Sequence, residues 1–226
     1  MKKAILFLIP FLITIIAVVG YFKLTQKIST ISIPTLPNIS FSDLVKVSRF
    51  SLDRAPIDSL LGKINEFGGT VKFESRIATE SATLTDSSLE LQQGMSLYTG
   101  KDGHISFQIP TLENLAMTIN MSNNASLGII QTLPADVVFS QTSGVVEYKK
   151  LADIPVTIRS LHLLVENNGD ITVTLDGAAP FVTVAVNSGS AIVAYNNIND
   201  VSRMWTVNAG QKLTFNDYYR RVVIKK

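Results

Sequence analysis

The sequence predicts an all-β fold, an antiparallel β-sandwich or a stack of sheets, preceded by one transmembrane helix and one short amphipathic helix. Three observations carry this expectation. From Gly69 onward the chain is a succession of short β-branched or aromatic segments, among them "TVKFES", "HISFQI", "DVVFSQ", "DITVTL", "FVTVAV" and "RVVIKK", many alternating apolar and polar residues. Between them fall turn-forming stretches such as "KDGH", "SNNA", "NNGD", "LDGAAP" and "NNIND". Strands at intervals of about ten residues with no helical period among them point to sheets packed on sheets. The third observation is an uncharged run, Ala4 to Phe22, behind Lys2 and Lys3.

That run opens the chain. It is close to the roughly 20 residues a helix needs to cross a hydrocarbon core of about 30 Å, so residues 1–23 are expected to form a transmembrane signal anchor, with a kink near Pro10. A cleaved signal peptide is the alternative. The apolar run is longer than such peptides use, and no A-x-A pattern follows it, which favours retention. Lys23 and Lys27 nearly balance the charge on the other side. Orientation therefore rests on the layout, positive charge before a first apolar run and a long polar chain behind it, which places the N-terminus in the cytoplasm and the remainder outside.

Residues 24–52 read as a linker, because Pro34 and Pro37 within "LTQKISTISIPTLPNIS" exclude regular helix and favour extended chain. Residues 53–68 carry Ile57, Leu60, Leu61 and Ile64 at i, i+3, i+4 and i+7, with Asp53 as cap, Pro56 in the first turn and Gly68-Gly69 as the stop. A short amphipathic helix is expected there, weakened by Gly62 by about 1 kcal/mol relative to Ala. Residues 69–226 then form the β-domain. Within it "LQQGMSLYTGKDGHISFQI", Leu91 to Ile109, reads as a hairpin: Asp102-Gly103 takes the tight positions, and Leu97 or Tyr98 pairs across from Ile105 or Phe107.

The segments "GTV" at Gly69 to Val71, "LQQGMSLYTG" at Leu91 to Gly100, "KDGHISFQI", "APFVTVAV" at Ala179 to Val186 and "VNAGQKLTF" at Val207 to Phe215 resemble, in order and spacing, the FecR family of membrane-anchored regulators of ferric-citrate-type signalling. The resemblance spans Gly69 to Phe215 and implies an all-β domain outside the cytoplasmic membrane. Two departures limit it. The family's cytoplasmic segment, which controls a sigma factor, would here be reduced to Met1 to Lys3. The family's Gly-Thr pair before an apolar-x-Val strand is replaced by "NSGSAIVAY". The fold is thus carried over more readily than the signalling role, and no catalytic residue comes with the family.

Composition excludes several chemistries. With 20 Lys plus Arg against 18 Asp plus Glu there is no broad field for nucleic acid, and the absence of cysteine removes disulfides, thiolate nucleophiles and cysteine metal sites. His104 and His162 are the only histidines, lie on separate strands, and have no second ligand at metal spacing, so each is expected at or near the surface. No G-x-S-x-G occurs, and "NSGS" at Asn187 to Ser190 reads as a turn. The carboxylates Glu80, Asp86, Glu90, Glu113, Asp136, Glu147, Glu166 and Asp170 are scattered, giving no glycosidase pair. No P-loop is present. No catalytic, cofactor or metal residue is therefore assigned, and no enzyme activity is expected.

Trp205 in "MWTV" is expected in the core, with an interface anchor as the alternative, and "YYRRVVIKK" is expected to close the sheet with Val222, Val223 and Ile224 buried rather than to rest on anionic lipid. The functional expectation is a membrane-anchored extracytoplasmic binding, sensing or assembly module of the cell envelope. Its partners would be membrane lipid through the N-terminal helix and an envelope protein or saccharide. The alternative is a jelly-roll carrier or scaffold for lipid or polysaccharide, with an open apolar cleft near Ile129, Ile130 and Val137 to Phe139.

Overall fold

The computed structural model describes residues 59–77, 80–110, 116–150, 154–177 and 179–225. The expected anchor, the linker and the first residues of the expected amphipathic helix lie outside them. The described residues form strands and turns without a helix. In chain order the strands are β1 (Gly62–Gly68), β2 (Val71–Glu74), β3 (Ala82–Thr83), β4 (Glu90–Leu91), β5 (Ser96–Thr99), β6 (His104–Pro110), β7 (Ala116–Met121) and β8 (Ser126–Leu133). They continue with β9 (Asp136–Lys150), β10 (Val156–Ser160), β11 (Leu163–Leu175), β12 (Phe181–Asn196), β13 (Ser202–Asn208), β14 (Lys212–Asn216) and β15 (Arg221–Lys225).

Hydrogen bonding joins all of them into one sheet, and β9, β11 and β12 are long enough to run through both halves of it. The first layer reads β4-β1-β6-β7-β9-β11-β12-β14-β15, using Val145–Lys150 of β9, Asp170–Leu175 of β11 and Phe181–Ala185 of β12. The second reads β3-β2-β5-β8-β9-β10-β11-β12-β13, using the first half of β9, the first half of β11 and the second half of β12. Contacts across the gap show that the layers face each other. Phe139 of the second lies with its ring centroid 5.8 Å from that of Tyr148 in the first, and Tyr195 lies 5.0 Å from Phe215. Each such pair adds about 0.5–1.5 kcal/mol beyond area burial.

The bends have a local cause. Gly144 in β9 (φ +79°) and Gly189 in β12 (φ +71°) stand in the left-handed region, and a Cβ on Gly144 would meet Cα of Ala125 at 2.4 Å. Only glycine turns the strand there without strain. The bend in β9 also switches its inward set, from Val137, Phe139 and Gln141 to Val146 and Tyr148. Phe107, Phe139, Leu127, Val173 and Phe215 fill the space between the layers with essentially no exposure, each worth about 1.5–3 kcal/mol of burial.

Three expectations change. The amphipathic helix is overturned over Gly62–Gly68, which is strand β1, paired with β6 and β4. Gly62 and the short length made a helix marginal, and two neighbouring strands supply backbone partners that a lone helix lacks. The Leu91–Ile109 hairpin is also not formed: β5 pairs with β2 and β8, whereas β6 pairs with β1 and β7. The Gly100–Gly103 turn carries the chain from one layer to the other, anchored by Gly100 N–H on Thr70 C=O at 2.7 Å. Amides of Asp102 itself and of Thr70 donate to the Asp102 carboxylate there and hold it below its ordinary range.

Finally, the sheet is mixed rather than antiparallel, because β9 and β10 pair in parallel with Val137 beside Val156 and Phe139 beside Ile158. A parallel pair needs a crossover, and the second half of β9, lying in the opposite layer, provides it.

Candidate functional site

Three hairpin turns converge at one end of the molecule. The β10–β11 turn consists of Leu161 and His162 between the paired Ser160 and Leu163. The β12–β13 turn runs from Asn197 to Val201, with the Asn197 side-chain oxygen accepting from the amides of Asn199 (2.9 Å) and Val201 (3.0 Å). The β14–β15 turn, Asp217 to Arg220, is held by Tyr219 N–H donating to Asn216 Oδ1 at 3.0 Å.

Side chains lash these turns together. The His162 amide donates to Asp217 Oδ1 at 3.1 Å, and its ring Nδ1 lies 2.9 Å from the same oxygen. Arg220 Nη1 stands 3.8 Å from Asp200 Oδ1, an exposed pair of small energetic worth. Leu161 (φ +53°), Asp200 (φ +56°) and Arg220 (φ +43°) are three of the four non-glycine residues with positive φ among the described residues. An Asp adopts that conformation at low cost, whereas a Leu or an Arg is strained by about 1–2 kcal/mol. Strain of this kind, gathered in one place, is a mark of functional regions.

The turns border a cleft of about 800 Å³ on the outer face of the second layer. Strand register builds its floor as one row, Arg159–Leu164–Ala194–Met204 across β10, β11, β12 and β13. Leu164 and Met204 are 46% and 72% exposed, and Leu161 adds apolar surface at the rim. Arg159, Arg203, Arg220 and His162 also line it. Arg220 faces Asp200 and His162 faces Asp217, but Arg159 and Arg203 have no hydrogen-bonding or ionic partner among the described residues. Register sets the two arginines apart: Arg159 heads the floor row, whereas Arg203 pairs with the buried Tyr195 and so stands on the other face of β13 from Met204. Ser202, which also lines the cleft, donates to Asn196 rather than to His162.

The residues weighed in the sequence are distributed as follows. His162 enters the site through Asp217, which is 55 residues away in the chain and so invisible as a motif. His104 is exposed on β6, beside Gly68. Among the described residues no three His, Asp or Glu side chains gather as a metal site. Of the scattered carboxylates none lines the cleft, and Glu113 lies outside the described residues. Asn187 to Ser190 is the bend of β12.

Trp205 is not a core residue: it is 42% exposed on β13, which pairs only with β12. An edge strand has no neighbour to cover it. In β15, Val222 packs on the core but Val223 is exposed, since alternate residues of a closing strand face opposite ways. The side chain of Ile224 lies outside the described residues. The open cleft expected near Ile129, Ile130 and Val137 to Phe139 is not formed there. Ile129, Val137, Val138 and Phe139 are buried where β8 packs beside β9, and only Ile130 is exposed.

No family model matches the chain, and no curated protein matches it. Among solved structures it is similar to two crystal structures of a "putative anti-sigma factor" from Parabacteroides distasonis, at 2.50 Å and 1.65 Å resolution. Both share 11% identity over 58% of this chain, with TM-scores of 0.47 and 0.48. The chain spans about three-fifths of each of them, 59%. At that identity and overlap no ligand, partner or activity passes from them to this protein.

Proposed function

We propose that the protein is a membrane-anchored, FecR-like binding and sensing module of the cell envelope, whose β-domain stands outside the cytoplasmic membrane and offers the turn-bordered cleft to a ligand. The single observation that carries the binding role is the cleft itself, an apolar row on a sheet with unpaired Arg159 at its head and strained turns at its border. Polar groups at the rim of a largely apolar concavity are the usual build of a ligand site. The sequence holds no G-x-S-x-G and no P-loop, and Ser202 in the cleft is hydrogen-bonded to Asn196 rather than to His162, which favours binding over turnover. The extracytoplasmic placement is supported by the 19-residue run Ala4 to Phe22 behind Lys2 and Lys3, and the FecR-like character by the ordered segments from Gly69 to Phe215.

The chain has no cysteine, so one introduced thiol reports location without background. Ser87 is exposed in the β3–β4 connection. In intact cells stripped of any outer membrane, the full-length Ser87→Cys chain should react fully with a membrane-impermeant maleimide. Labelling only after lysis would place the β-domain inside and overturn the proposal.

A further inference from the structure

Resting on the membrane-anchored reading, we propose that the turn-bearing end of the β-domain docks on the bilayer that holds the anchor, with its apolar turn tips seated among the lipid headgroups. The three turns that converge there carry five large apolar side chains in the open: Leu161, Ile198, Val201, Tyr218 and Tyr219, between 47% (Val201) and 75% (Tyr218) exposed. Turn positions ordinarily go to Gly, Asn, Asp or Ser. Leu161 even holds a left-handed φ of +53°, which a leucine adopts at a cost. Side chains so exposed add little to the core, and gathered on adjoining turns they form the kind of apolar patch that marks an interaction surface.

Three features make lipid the occupant. The chain brings the bilayer with it: between Phe22, where the uncharged run ends, and Ser59, the first described residue, lie about 36 residues, which span up to about 120 Å when extended. A tether of that length lets either end of the domain reach the membrane, and it keeps the local concentration of lipid high enough for a small apolar contact to hold. The backbone is prepared for leaving water. Amides of Asn199 and Val201 donate to Asn197 Oδ1, that of Asp200 to the Asn197 carbonyl, that of Tyr219 to Asn216 Oδ1 and that of His162 to Asp217 Oδ1. Amides satisfied from within the turns lose little at a lipid surface. The charges suit the headgroup layer. Both carboxylates on these turns, Asp200 and Asp217, face Arg220 and His162, so neither meets lipid phosphate alone. Arg221 stands 4.9 Å from the centre of the Tyr219 ring, which sets a guanidinium beside a tyrosine, the pairing suited to a membrane–water boundary.

The test uses the full-length chain in phosphatidylcholine nanodiscs, with a polarity-sensitive nitrobenzoxadiazole probe on one introduced thiol. Ile198→Cys, Val201→Cys and Tyr218→Cys report on the tip, and Ser87→Cys is the control. Ser87 lies between β3 and β4, which end the two layers at the edges opposite β13 and β15. A tip side chain about 5–10 Å into the interface should shift to the blue and lose at least about half its emission when the disc lipid carries an acyl-chain nitroxide. The Ser87 probe should do neither. Adding Ile198→Asp and Tyr218→Asp to the Val201→Cys chain should abolish the quenching and leave the melting temperature unchanged. Tip probes that the nitroxide does not quench, equal quenching at Ser87, or quenching that survives the two aspartates would overturn the proposal. A blue shift that needs two chains in one disc and comes without quenching would give the tip to a second copy and overturn it as well. With the chain seated in the discs, these failures reject the tip contact alone. A chain that does not enter the discs rejects the anchor and this proposal with it, whereas Ser87→Cys labelling in cells decides only the placement.

Discussion

At the scale of single residues, the interior is held in one arrangement by a buried amide. Gln141 is fully buried, yet every polar atom of its side chain is used: Nε2 donates to the carbonyls of Gly144 and Val173 at 3.0 Å each, and Oε1 accepts from the Tyr148 hydroxyl at 3.0 Å. Burial pushes the Tyr148 phenol well above its ordinary range, which favours the protonated, donating form. The amide thus bridges the two layers beside the bend of β9. Tyr148→Phe should cost about 1–2 kcal/mol by leaving Oε1 unmatched, and Gln141→Leu about 3 kcal/mol or more by stranding two carbonyls and a hydroxyl. Urea unfolding of the full-length chain measures both. The double variant should cost about 1 kcal/mol less than the sum, because the two changes remove one shared bond. Neither residue was legible as a partner of the other in the sequence. "DVVFSQ" and "GVVEYKK" read as separate strands, and only the bend between them brings position 141 over position 148. The cleft was hidden for the same reason, since Arg159, Arg203 and Arg220 come from three different hairpins and share no local pattern.

At the scale of elements, most strands were readable because period-two alternation is imposed by the pleat itself. The inward set Leu163, Val165, Asn167, Ile171, Val173 and Leu175 of β11 is such an alternation, and it persists through the bend. What local pattern could not supply was partner choice. The Asp102-Gly103 turn chemistry suits a hairpin and an interlayer crossing alike, so pairing of β5 with β2 and β8 was decided by distant strands. The segment at Gly62–Gly68 fitted two periods at once, Leu60, Leu61 and Ile64 for a helix and Gly62 and Ile64 for a strand, and the neighbouring strands β4 and β6 resolved it. Bends were equally ambiguous, because glycine marks turns and bends with the same letter. Gly144→Ala tests the bend directly. Its Cβ would press on the main chain of Ala125 at a φ that alanine avoids, so a loss of about 2–4 kcal/mol is expected. Gly177→Ala, where a Cβ would meet nothing within 4 Å, should lie within about 0.5 kcal/mol of wild type in the same urea titration.

At the scale of the whole molecule, shared strands set how the domain comes apart. A sandwich made of two separate sheets can lose one layer while the other persists, but here β9, β11 and β12 each contribute to both. Melting the second layer removes the first half of β11 and the second half of β12, and their other halves lose the bend geometry that seats them in the first layer. Gln141 adds a hydrogen-bonded tie across the same point. The two layers should therefore open as one cooperative unit. Native-state hydrogen exchange gives the measurement. Amides of Phe107 and Val184 in the first layer and of Val165 and Val193 in the second, all buried, should exchange with opening free energies equal to within about 1 kcal/mol. The two-residue strands β3 and β4 and the free edges β13 and β15 should open earlier, since each is bonded to only one neighbour. A first layer that stayed protected while the second exchanged freely would show that the bends act as hinges between independent sheets. The cleft, built across β10 to β13 and tied to the β14–β15 turn, would then sit on a unit that can yield without unfolding the rest.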